Sequence, residues 1–125
     1  MAVRTSDKVR AVEAYIAAYN CGDLAAILDV FADDATVEDP VGSPLLVGKG
    51  EIATLMGQGV AMGARLALLG AVRCAGDYAA FPFVVKFESE DGPARIEVID
   101  IFRFNAAGKV AEMRAFFGPE NMDGL

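Results

Sequence analysis

A chain of 125 residues with a formal charge of −7 and an isoelectric point near 4.4 has room for one domain, residues 1–125, around one core. The acidic balance argues against a nucleic-acid partner, which is held by patches of Lys and Arg, and no apolar run approaches the roughly 20 residues that cross a bilayer. There is no histidine, which removes Ser-His-Asp and Cys-His catalysis, histidine-ligated zinc and any imidazole proton shuttle, so acid–base chemistry must run on Asp, Glu, Tyr or Lys.

The start, Met1 to Lys8, lacks the charged-then-apolar plan of an export signal, so the expected address is the cytoplasm. Ser6 or Asp7 is expected to cap a first helix that runs to about Cys21, with Gly22 as its stop. Val9, Val12, Ile16 and Tyr19 recur at spacings of three and four, and Tyr15 sits on the edge of that stripe with its hydroxyl directed inward. Asp23 opens a second helix with Leu24, Ile27, Leu28 and Phe31 on its buried face, ended by Ala32 to Asp34. Cys21 and Cys74 follow no paired-ligand pattern and are expected as buried thiols of a reducing compartment.

Ala35 to Asp39 reads as a short extended segment, with Pro40 biasing Asp39 towards extended geometry. Val41 to Gly48 reads as a loop. A third helix is expected from about Lys49 to Met62, with Ile52, Leu55 and Met56 inward and three glycines weakening its end. No phosphate-binding or dinucleotide glycine fingerprint occurs, the glycines being scattered through turns.

From Arg65 the period changes to two, the pattern of antiparallel strands with one wet face. Leu66, Leu68 and Val72 alternate with Ala67, Leu69 and Arg73, and Phe81, Phe83, Val85 and Phe87 alternate with Pro82, Val84, Lys86 and Glu88. The turns Glu90 to Pro93 and Asn105 to Gly108 lead to strands Ala94 to Phe104 and Lys109 to Phe117. Helices first and strands after predict an α+β fold with the helices on one face of a curved sheet.

One position breaks the pattern. Ile96, Val98, Asp100, Phe102 and Phe104 share a face, which puts Asp100 on the apolar side. Burial disfavours the charged carboxylate, and a neutral Asp is a hydrogen-bond donor. Holding it neutral at pH 7 requires its pKa to rise from about 3.9 to beyond roughly 8, a cost of about 6 kcal/mol. Asp39, ionised, could then take a proton from carbon while Tyr15 and Asp100 donate to the oxygen that becomes negative: enolisation beside a ketone. By residue type alone, Asp39 before Pro40 also reads as turn chemistry, Asp100 as a satisfied structural group and Tyr15 as plain core. Asp33, Asp34 and Glu38 read as a solvated helix end and strand face.

Nearly the whole chain, from about Val9 to Asn121, resembles the ketosteroid isomerases, steroid Δ5-to-Δ4 isomerases of the NTF2-like (SnoaL-like) superfamily. The likeness runs through A-Y-I-A-A-Y-N-C-G-D-L, F-A-D-D-A-T-V-E-D-P-V-G, E-V-I-D-I-F-R-F-N and M-R-A-F-F-G-P-E-N. The resemblance implies a cone-shaped fold of three N-terminal helices packed on a mainly antiparallel sheet, a homodimer, a small hydrophobic steroid as substrate, no metal and no cofactor. It matches Asp39 to the family's general base, moving a proton from C4 to C6, and Tyr15 and Asp100 to its oxyanion hole. A carboxylic acid kept protonated by an apolar site is a pattern known for this family, whereas the strand periodicity places Asp100 inward independently. Phe83, Met113 and Phe117 fall where the family lines its steroid cavity. Met56 and Phe31 stand at cavity positions where members carry tyrosines that support the first one. Other reactions on the same fold, such as an epoxide hydrolase or dehydratase, lack here the histidine or the Asp-Arg-Asp arrangement, and a non-catalytic steroid-binding or dimerisation module would make Asp39 dispensable.

Overall fold

The computed structural model describes residues 3–125, so the first two residues of the stretch read for an export signal lie outside it. Three helices, α1 (Thr5–Asn20), α2 (Leu24–Asp29) and α3 (Lys49–Ala61), lie against a sheet of strands β1 (Phe31–Glu38), β2 (Leu46–Val47), β3 (Arg65–Leu68), β4 (Arg73–Ala75), β5 (Tyr78–Ser89), β6 (Gly92–Phe104), β7 (Val110–Phe116) and β8 (Met122–Asp123). The strand order is β2-β1-β7-β6-β5-β3, with β4 on β5 and β8 on β6. Among the described residues every pairing is antiparallel except β1 with β7. No helix among the described residues is long and apolar enough to cross a membrane.

The long β5–β6 hairpin carries the alternation expected of it. Phe81, Phe83, Val98, Asp100, Phe102 and Phe104 are buried against the helices, while Glu97 and Ile99 on the opposite face are exposed. The turn before β7 follows from its sequence: Asn105 accepts through its side chain from the N–H groups of Ala107 and Lys109, and Gly108 takes the positive φ of 80° that closes it. Gly22, at φ 66°, ends α1, and Asp23 caps α2 by accepting from the N–H of Ala26 at 3.1 Å.

Five expectations need correction. Phe31 opens β1 and pairs with Val110, not the last turn of α2. The register of β1 on β7 shifts between Phe31 and Thr36, so Asp33 and Asp34 both face solvent and the period of two is lost where it would have shown a strand. Ser6 and Asp7 lie inside α1, whose N-cap is Arg4 without a side-chain cap bond. The buried face of α1 is Lys8, Val12, Tyr15, Ala18 and Tyr19, with Val9 and Ile16 half-buried, so Tyr15 stands at its centre and not at its edge. Lys8 enters that face because its stem packs as an apolar chain while Nζ donates to the Gly76 carbonyl at 2.5 Å. The Val41–Gly48 loop contains β2, paired with Thr36 and Val37. Cys21 follows the last turn of α1 and is exposed, and Cys74 is half-buried.

Candidate active site

The parallel β1–β7 pairing sets the site. Val37 is level with Met113 and Glu38 with Arg114, so Asp39 falls level with Ala115, and the Val41 N–H donates to the Ala115 carbonyl at 2.8 Å. Ala115 in turn pairs with Asp100 on β6. Asp39, Ala115 and Asp100 therefore form one row across three adjacent chain segments, about 10 Å from end to end at two strand spacings. The methyl of Ala115 between the two carboxyls leaves space. A cavity of about 140 Å³ opens there, lined by Asp39, Asp100, Ala115, Phe83, Val85, Ile96, Val98 and Phe117.

Tyr15 reaches the same region from α1. Its ring is held edge-on by Tyr19, Phe31 and Phe102, at centroid distances of 5.2, 6.1 and 5.3 Å. Such contacts are worth about 0.5–1.5 kcal/mol each beyond area burial and fix the direction of the phenol. Phe102 lies two residues from Asp100 on the same face of β6, which brings the phenol beside the carboxyl row. The Tyr15 hydroxyl has two sulfurs for neighbours, Met113 Sδ at 3.8 Å and Met56 Sδ at 3.9 Å. Both are weak acceptors at long range, so its proton is free for a better one.

Asp100 is 1% exposed, and neither of its carboxyl oxygens has a hydrogen-bond partner among the described residues. A buried polar group left so costs about 1–3 kcal/mol, and more if charged. Burial first, and then the nearby charge of Asp39, hold its pKa well above the usual carboxylate range. Asp39, half-buried at the strand end, is pushed by burial from 3.8 to about 6. Burial pushes the Tyr15 phenol well above 10, with Tyr19, Asp100 and Asp39 adding to the rise. Burial therefore biases Asp100 and Tyr15 towards their protonated forms, and it bears on Asp39 less.

Of the other residues expected to meet substrate, Phe83 and Phe117 wall the cavity, whereas Met56, Met113 and Phe31 pack around Tyr15. Tyr19, with its hydroxyl 2.8 Å from Met56 Sδ, is a neighbour of the site that reading the α1 stripe as core did not single out. Glu38 lies on the other face of β1, paired with Arg114 at 3.7 Å.

Residues 12–113 match the SnoaL-like domain family. The chain belongs to that family. A steroid Delta-isomerase of Nocardioides simplex is 40% identical over 113 residues, which cover 90% of each chain. The SnoaL-like fold is also that of a structure described for the role of the epoxide hydrolase/cyclase-like enzyme SalBIII in pyran ring formation in the polyether salinomycin. That likeness has a TM-score of 0.89 and 23% identity, and covers 96% of this chain and 97% of the other. At that identity it speaks for the fold alone, while kinship with the steroid Delta-isomerase supports an isomerase.

Proposed function

We propose that this SnoaL-like protein is a steroid Δ-isomerase that converts Δ5-3-ketosteroids to the conjugated Δ4-3-ketones. The observation that carries the reading is Asp100: both of its oxygens are buried and have no hydrogen-bond partner among the described residues, and its side chain walls the same small cavity as Asp39. In the Asp39 carboxylate the site has a base, and in the Asp100 acid and the Tyr15 phenol it has two donors for an oxyanion. Asp39 takes a proton from C4 and the C–H electrons form the C3–C4 double bond, so the ketone oxygen becomes the enolate oxygen of a dienolate held by Tyr15 and Asp100. Asp39 then returns the proton to C6, which leaves the double bond between C4 and C5, conjugated with the restored ketone. Atoms and charge balance without a cofactor. Each donor, aimed at an oxygen that is anionic only along the reaction path, is worth about 3–4 kcal/mol.

A cavity near 140 Å³ seats one ring, on the scale of the roughly 150 Å³ that takes benzene. The reacting ring would fill it, while a separate groove of about 680 Å³ lies on the outer face of the sheet. The same reading includes a homodimer: Val41, Leu69, Ile99 and Phe116 stand exposed around that groove on the outer face of the sheet, where a second copy would cover them.

The test is isomerisation of a Δ5-3-ketosteroid, followed by the ultraviolet absorbance of the conjugated enone. In the parent, kcat/KM should rise with pH through about 6 as Asp39 loses its proton. Asp39→Asn should abolish turnover while still binding steroid. Turnover that survives the substitution would remove the isomerase reading.

A further inference from the structure

Tyr15 is not alone in its pocket. Tyr19, one helical turn along α1, is buried beside it, the two rings 5.2 Å apart and crossed at 75°. Its hydroxyl donates to Met56 Sδ at 2.8 Å, and the same sulfur lies 3.9 Å from the Tyr15 hydroxyl. Two phenolic hydroxyls converge on one thioether, a weak acceptor that offers no hydrogen to either.

The seat of Tyr19 is cut to its ring. Gly59 lies inside α3, where glycine is less favourable than alanine. A β-carbon there would stand 3.1 Å from Tyr19 Cε1 and 3.4 Å from its hydroxyl oxygen. The helix carries its glycine where the phenol needs room. The two phenols also act on each other: burial is the first cause of the raised pKa of each, Tyr19 adds to the rise of Tyr15, and a hydrogen bond from the Tyr15 hydroxyl offsets part of the rise of Tyr19, a bond that would reverse once Tyr15 gives its proton elsewhere.

When Tyr15 gives its proton in a hydrogen bond to an anionic oxygen, its own oxygen gains negative charge and becomes a strong acceptor. The Met56 and Met113 sulfurs have no proton to give it. We propose that Tyr19 is a positioning residue for the oxyanion site: its hydroxyl turns from Met56 Sδ to the Tyr15 oxygen when Tyr15 binds an anionic oxygen, which makes Tyr15 a stronger donor. This inference rests on the oxyanion reading of Tyr15 and Asp100.

Its test needs no turnover. 4-Nitrophenol is a single ring, and its anion absorbs visible light, so the ratio of anion to neutral phenol in the bound state is read directly at fixed pH. In the parent this ratio should exceed that of free nitrophenol. Tyr19→Phe should lower it about three- to tenfold, the worth of one neutral hydrogen bond, and lower the kcat for steroid by a similar factor with KM nearly unchanged. Gly59→Ala, which keeps the hydroxyl but pushes its ring, should give a similar loss in the parent and none in the Tyr19→Phe background. A purely structural Tyr19 would weaken binding of both nitrophenol forms alike, and Gly59→Ala would then still act in Tyr19→Phe. A parent ratio no higher than in free solution would overturn the oxyanion reading and this inference together. A high parent ratio that survives Tyr19→Phe would overturn the role of Tyr19 alone, and if Tyr19→Phe does not fold, a high ratio unmoved by Gly59→Ala does so.

Discussion

Replacing Asp39 by Asn should make the protein more stable, but only where Asp39 would be charged. Burial raises this carboxyl from 3.8 to about 6. A carboxyl whose folded pKa lies above its unfolded one holds its proton more tightly in the fold. Its favourable contribution is complete below pH 3.8, is lost as the pH rises towards 6, and leaves a constant penalty above that. At roughly 1.4 kcal/mol for each pH unit, the penalty at pH 8 is about 3 kcal/mol. Asn carries no charge but must still be desolvated, so Asp39→Asn should gain about 1–3 kcal/mol at pH 8 and close to nothing at pH 4. Urea unfolding of both proteins at pH 4, 6 and 8, followed by circular dichroism, measures the difference. A gap that does not change with pH, or a variant less stable at pH 8, would mean that the Asp39 charge is well solvated, and the elevated base of the proposed mechanism would go with it.

Asp100→Ala should cost about 10²–10³ in kcat, the range for loss of one oxyanion donor, and Asp100→Asn distinctly less because an amide N–H still donates. Equal losses would count against the donor role. Sedimentation velocity at micromolar concentration should find two copies together, and a monomer would leave the exposed apolar groove behind Val98 and Phe117 without its proposed cover.

The inward place of Asp100 is legible because β6 is long and regular: thirteen residues alternate faces without a bulge until the register shifts after Arg103. Four apolar or aromatic neighbours on one face, Ile96, Val98, Phe102 and Phe104, leave the carboxyl no ambiguity. The other half of the site is not legible in this way. Asp39 meets Asp100 only because β1 pairs in parallel with β7, a contact between residues more than seventy apart that no local period records. The irregular middle of β1 even hides the strand itself, since Leu24, Ile27, Leu28 and Phe31 fit a helix spacing while Phe31 is already extended. Tyr19 was visible as a core residue of α1, but its meeting with Met56 belongs to the packing of α1 against α3 and is written in neither helix alone. Glycine at 59 looked like a weakness of α3. Set against the Tyr19 ring, it is the condition for the packing.

The difference between the two carboxyls follows from where the strands end. Asp100 sits within β6 with strands on both sides, so its side chain is almost wholly buried at the floor of the cavity and its charged form is penalised heavily. Asp39 stands one residue beyond β1, where the chain bends and the sheet gives way to solvent, and it is penalised in part. As the pH rises, Asp39 ionises first, and its new charge then makes the second ionisation harder, since that charge is the second cause of the raised pKa of Asp100. The two shifts reinforce one order of titration instead of competing. Two groups of the same chemical type can therefore share one cavity and still differ in which gives up its proton first, with the sheet edge setting the difference.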